Sequence, residues 1–146
     1  MSLNQVLSVM IPAFNEERTL DVIMKHVLEQ PEVGEVIAVD DGSTDGTWAI
    51  MSRFAERDRR VRAFRQEANR GKGAALRRAI AEIRMPFALV QDADLEYDPR
   101  DYPTLLRPLM EGRAAAQSLA YVCEAYMCRE PTSDPERFRE MLGIAR

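Results

Sequence analysis

The sequence is poor in histidine, cysteine and tryptophan, and it has no long apolar run. His26 is the only histidine. It falls beside the apolar stripe of a predicted helix with no partner near it in sequence, so it reads as structural. The two cysteines, Cys123 and Cys128, have a spacing that fits neither a zinc knuckle nor a CxxC redox pair, which leaves reduced, half-buried thiols. No apolar segment approaches the roughly 20 residues that span a bilayer, and the first residues lack the basic and apolar regions of a signal peptide. The expected location is therefore cytoplasmic. Arginines are numerous but scattered among acids, there is no basic run, and the net charge is -4. Nucleic acid is thereby excluded as the expected partner. Internal repeats and low-complexity tracts are also missing.

The 146 residues are 46% hydrophobic and 30% charged, too apolar for a disordered chain and sufficient for one domain with an appendage. Residues 6–14, "VLSVMIPAF", form the continuous apolar run of a strand covered on both faces. The period then changes. Leu20, Ile23, Met24, Val27 and Leu28 make the stripe of a helix expected from about 16 to 30, stopped by Pro31 and Gly34. "EVIAVD" (35–40) predicts a second buried strand, and "DGSTDGT" a turn with N-caps for a helix through Trp48, Met51 and Phe54. "VRAFR" (61–65) alternates, as a strand near a sheet edge does. Ala75, Leu76, Ala79, Ile80 and Ile83 give the apolar face of the next helix, and "FALVQD" (87–92) a further buried strand. A helix opening at Asp101 or Tyr102 tolerates Pro103 in its first turn and is bent or ended by Pro108. Residues 114–129 suit an amphipathic helix carrying Tyr121 and Tyr126, and another helix starts either with Ser133 and Glu136 as a capping box or with Asp134 as cap and Pro135 at the first helical position.

Strands alternating with helices at this pace predict an α/β fold: a mostly parallel, twisted sheet joined by right-handed crossovers and flanked by helices. Ligands bind such sheets beyond the carboxyl ends of the strands. Three strands here end in polar or acidic residues: Asn15 with Glu16, Asp40 with Asp41, and Asp92 with Asp94. The last group opens a stretch with five carboxylates in ten positions, 92–101. Two carboxylates about 4 Å apart repel by roughly 4 kcal/mol near a protein surface, so the crowding calls for a cation. Each feature also has a plainer reading. An acidic loop is commonly a solvated surface, Asp40, Asp41 or Asp45 can cap the following helix, and Lys72 can be an exposed lysine. Trp48, Phe54, Phe64 and Phe87 sit at packing positions.

"VMIPAFNEERTL", "AVDDGSTDGT", "NRGKGAALRRAI" and "VQDADLEYDPRDYPTLL", in this order, resemble the nucleotide-binding half of family 2 glycosyltransferases, above all the branch that makes polyprenyl-phosphate or dolichyl-phosphate sugars. The resemblance covers residues 5 to 113 and implies a Rossmann-like GT-A fold. It implies that Asp92 and Asp94 are the catalytic DxD acids, holding Mg2+ or Mn2+ against the diphosphate of a UDP- or GDP-linked sugar, with Glu96 as a third metal-binding position. Pro12, Ala13, Asn15 and Glu16 would line the base and ribose pocket, Asp40 would hydrogen-bond the base edge, and Asp41 would support that floor. Ala93 would also belong to the nucleotide site. Arg70, Gly71 and Lys72, at a helix start, would meet phosphate; the spacing is not that of a Walker A loop. Asp98 reads as a turn residue before Pro99.

Family members usually run well beyond this length, and the match stops near "EGRA". The expectation is thus a truncated GT-A domain over 1–113 with a helical tail over 114–146, and a sheet edge or apolar face that self-association could cover. The implied activity is metal-dependent, inverting sugar transfer to an acceptor such as polyprenyl phosphate, at the inner membrane face. The alternative is a catalytically inactive nucleotide-sugar-binding or interaction module. Phosphatases and receiver domains with DxD or paired aspartates carry them after the first strand. Here they follow the fourth and second strands, and position decides against that chemistry.

Overall fold

A computed structural model describes residues 4–110 together with 123–124, 127–128, 136 and 140. The chain divides into two compact units, Met1–Pro103 and Thr104–Arg146. In the first unit the elements run β1 (Leu7–Ala13), α1 (Leu20–Leu28), β2 (Val33–Asp40), α2 (Thr47–Arg57), β3 (Val61–Arg65), α3 (Lys72–Ile80) and β4 (Phe87–Val90), then a 3-10 turn at Pro99–Asp101; α4 (Tyr102–Met110) starts at the end of this unit and lies mostly in the second. The four strands form one sheet in the order β3-β2-β1-β4, every pairing parallel.

Strand order explains the hydropathy. β1 is flanked on both sides and covered on both faces, so all seven of its residues are buried. β2 is the other interior strand and is buried almost throughout. Met10, Ile37, Val39, Ala75 and Ala79 form a cluster joined by Phe64, Ile83 and Val90, which seats α3 on one face of the sheet. The crossovers through α1 and α2 step one way along the sheet and the crossover through α3 steps back, so right-handedness puts α1 and α2 on the opposite face. There Leu20, Ile23, Met24 and Val27 bury the stripe of α1, each contributing about 1.5–3 kcal/mol of apolar burial.

The amino ends of the strands are closed by a polar cluster. Glu35, 5% exposed, accepts from Ser8 Oγ, the Arg84 N–H and Arg62 Nη2. Burial pushes its carboxyl upward, but these donors outweigh burial and hold it below the usual range.

Several expectations are corrected. The first helix begins at Leu20 rather than near 16 because Asn15 takes a left-handed φ of +52° and the next residues form a turn, with the N–H groups of Thr19 and Leu20 bonded to the Glu16 carbonyl. Ile80 ends its helix 38% exposed. β4 is only half buried, since among the described residues it pairs on one side alone. Pro108 lies inside α4, which continues to Met110. Within the stretch expected to be helical over 114–129, Cys123–Glu124 and Met127–Cys128 instead pair as antiparallel strands β5 and β6. Valine, tyrosine and cysteine there have weak helix propensity and suit an extended pair. The rest of the expected tail, including Ser133, lies outside the described residues; Glu136 and Glu140 are helical.

Candidate active site

All four strands point their carboxyl ends the same way, and the four following loops are tied into a closed ring. The loop after β1 meets the loop after β2: the Asn15 N–H donates to Ser43 Oγ at 2.9 Å, the Thr44 N–H to Asn15 Oδ1 at 2.9 Å, and the Glu16 N–H to Thr47 Oγ1 at 2.9 Å. The loop after β2 holds the loop after β3: both oxygens of Asp41 accept at 2.9 Å, from the N–H groups of Arg70 and Gly71. The loop after β3 reaches the loop after β4 through an ion pair of Lys72 Nζ with Asp92 Oδ1. The ring closes where Thr19 Oγ1 donates to the Ala93 carbonyl at 2.6 Å.

Local sequence produces this geometry. Pro12 fits within β1 because the Ala13 carbonyl accepts from Asp41 on the β2 side while the Met10 carbonyl accepts from Gln91 on the β4 side. By strand alternation the nitrogen of Pro12 faces the β4 side, past the last pair, Met10 with Val90, so the missing N–H costs no ladder bond. Gly42 has φ +74°, and a Cβ there would lie 2.6 Å from the backbone of Ala68 and Asn69, so glycine lets the two loops touch. Asp45 Oδ1 accepts from the N–H and hydroxyl of Thr47 at 2.9 and 2.6 Å, while the N-cap position of α2 is Gly46 and carries no side-chain cap.

The floor of the ring is Asp40. It is fully buried, and its Oδ1 accepts from the Ser43 N–H at 3.0 Å. Arg65 Nε lies 3.2 Å from Oδ2 without the alignment of a hydrogen bond, so Oδ2 is a buried carboxylate oxygen with no donor. Arg65 itself is held by the Ser43 carbonyl, 3.3 Å from Nη2, and stacks 5.5 Å from the Trp48 ring centroid. Arg65 and Trp48 thus support the site floor, a part that the sequence reading did not give them. The signal was available in the register that sets Arg65 beside Asp40.

Beyond β4, buried Gln91 fixes the acidic loop. Its Nε2 donates to the Tyr97 carbonyl at 3.1 Å and its Oε1 accepts from Tyr102 Oη at 2.7 Å. Burial pushes the Tyr102 hydroxyl far above its ordinary range, keeping it a donor. Ala93 is buried between Asp92 and Asp94. Asp94 Oδ1 accepts weakly from the Glu96 N–H at 3.3 Å, and Asp92, Asp94 and Glu96 do not gather into a three-ligand set. Asp98 is the expected turn residue, capping the 3-10 turn through the Arg100 N–H at 2.9 Å. Its carboxyl is lowered to about 2 by hydrogen bonds from the Arg100 side chain and backbone.

The structure therefore brings Asn15, Glu16, Asp41, Arg70, Gly71, Asp92 and Ala93 to connected loops, with Lys72 at the start of α3 and Pro12, Ala13 and Asp40 on the strands beneath. Asp41 and the side-chain oxygen of Asn15 are used in holding loops together. Thr19, which closes the ring, carried no signal in sequence. His26 is exposed on α1.

Fold and site together define a GT-A domain, a Rossmann-like sheet with its groups beyond the carboxyl ends of the strands. The family model for glycosyl transferase family 2 matches residues 8–139, and the chain belongs to that family. Dolichyl-phosphate beta-glucosyltransferase from Homo sapiens is 32% identical over 93% of this chain and 46% of its own length. Dodecaprenyl-phosphate galacturonate synthase from Rhizobium johnstonii is 32% identical over 70% of this chain and 32% of its own length. The crystal structure of glucosyl-3-phosphoglycerate synthase from Mycobacterium tuberculosis, in complex with Mn2+, UDP-glucose and phosphoglyceric acid, superposes with a TM-score of 0.63. It is 29% identical over 79% of this chain and 42% of that one. The chain thus spans less than half the length of these relatives.

Proposed function

We propose that this chain carries the donor site of a glycosyltransferase that takes a sugar from a nucleoside diphosphate and passes it to a polyprenyl phosphate. Asp40 carries the reading: its buried Oδ2 has no hydrogen-bond donor, only the Arg65 guanidinium 3.2 Å away. A carboxylate oxygen out of water without a donor is costly, and an imide-type N–H on a nucleobase edge supplies one. The N–H groups opening α3, with Arg70 and Lys72 beside them, suit the diphosphate.

Asp92 and Asp94 offer carboxylate oxygens, the chemistry a hard divalent cation takes, and one or two carboxylates suffice when phosphates complete the shell. Asp92 and Asp94 would hold Mg2+ or Mn2+, which when bound supplies Lewis-acid stabilisation of the departing diphosphate. A phosphate acceptor is already anionic at neutral pH, so its oxygen attacks the anomeric carbon without a general base, and one displacement inverts the configuration. The relatives named for dolichyl and dodecaprenyl phosphate support that acceptor class, and with it a place at a membrane surface. Among the described residues no helix is long and apolar enough to cross a membrane.

A second reading, donor binding without turnover, is favoured by the ring itself, whose groups are accounted for by base, diphosphate and metal and leave the acceptor to other residues. Calorimetry of the full chain with UDP and GDP in the presence of Mn2+ tests the shared part: binding of one nucleotide is expected, and binding of neither rejects both readings. Product formed with polyprenyl phosphate then separates transfer from binding alone.

A further inference from the structure

We propose that Lys72 is a stand-in cation at the acidic loop. With no ligand bound it neutralises Asp92, and it surrenders that carboxylate to a divalent metal readily only when a nucleotide diphosphate is present to receive its ammonium group. The inference rests on the donor-site reading above and assigns one residue the coupling between metal and nucleotide.

The two backbones that carry the pair are fixed. Lys72 follows Gly71, whose N–H is bound by Asp41. Asp92 lies between Gln91, bonded to the Met10 carbonyl, and Ala93, bonded by Thr19. Only the side chains are free to part, and the lysine stem is flexible. The side chains are 57% and 28% exposed, and an ion pair in that setting holds its partners by a factor of about two to five. Lys72 is also the first residue of α3, where unsatisfied N–H groups disfavour a cation and favour an anion.

A metal arriving alone must break the pair and leave an ammonium group at a helix N-terminus with no anion to meet. A metal arriving with a diphosphate breaks the same pair, but the ammonium then finds phosphate oxygens, which are stronger acceptors. Metal and nucleotide therefore strengthen one another's binding, and by linkage the effect is equal in both directions. A lysine that served phosphate alone would affect nucleotide affinity and leave the affinity for metal by itself unchanged.

The test is titration of the full chain with Mn2+, with and without UDP, following the six-line electron paramagnetic resonance signal of free aqueous Mn2+, which disappears on binding. Lys72→Met is expected to bind Mn2+ alone about two- to fivefold more tightly than wild type, while UDP improves its Mn2+ affinity less than in wild type. Arg70→Met removes the same formal charge two positions away, from a side chain that makes no ion pair with Asp92, and should change Mn2+ affinity by less. The role given to Lys72 is overturned if Lys72→Met binds Mn2+ no more tightly than wild type, or if Arg70→Met matches its gain. Wild-type protein that binds neither Mn2+ nor UDP removes the donor-site reading itself and this inference with it. Binding in wild type without the gain in the variant removes only the inference.

Discussion

Replacing Asp41 with alanine should cost about 3 kcal/mol of folding stability and weaken nucleotide binding together. Asp41 is 3% exposed, and its two oxygens each accept one N–H at 2.9 Å, from Arg70 and Gly71. Hydrogen bonds to a charged acceptor are worth about 1.5–3 kcal/mol each. Arg70 is exposed, so water reaches the vacated N–H groups, and the lower end of that range applies to both bonds. For a chain of this size, roughly 2–4 °C of melting temperature accompanies each kcal/mol, giving a fall of about 6–12 °C. Urea unfolding followed by circular dichroism measures the stability and calorimetry with UDP and Mn2+ the binding. Asp41→Asn, which keeps one acceptor, should lie about midway. An alanine variant within about 1 kcal/mol of wild type would refute the claim that Asp41 fixes the start of α3.

Asp40→Asn should cost less stability, about 1–2 kcal/mol: Oδ1 keeps the Ser43 N–H, while the amide NH2 replaces the oxygen that faces the half-exposed Arg65. UDP affinity should fall by roughly 10- to 100-fold, the loss of one charge-assisted bond, and equal affinity in calorimetry would remove Asp40 from the base site. Asp98 should titrate at about 2 in carboxyl NMR, against its ordinary 3.8, and Arg100→Met should return it toward the ordinary value. Because the folded value is depressed, any stability from this pair is present above the ordinary value and lost as pH falls through the folded one; an unchanged midpoint in the variant would contradict the assigned cause.

Hydrophobic period was enough to read β1, β2 and the three helices between the strands, because interior strands and helix stripes record burial directly in residue type. β4 read as fully buried from "FALVQD" because composition reports apolarity and not which neighbours a strand acquires. The extended pair at Cys123–Glu124 and Met127–Cys128 was missed because alanines around it raise helix propensity while pairing partners decide the backbone. At the site, the acids at strand ends were legible as a group, whereas their division of labour was not. Asp40 and Asp41 are adjacent and identical in type, yet one keeps an oxygen with no hydrogen-bond donor and the other saturates two N–H groups, the latter set by a loop about thirty residues downstream. Thr19 joins Ala93 across a separation that no local pattern encodes.

The central place of β1 has a consequence for folding order. Leu7 pairs with Val33 in β2 and with Phe87 in β4, so the second partnership closes a far longer stretch of chain than the first, and long-range parallel pairing is slow. The strand end at Asp40 can be complete while the acids after β4 are still adrift. During synthesis or refolding, the part of the site that would recognise a base matures before the part that would grip a metal.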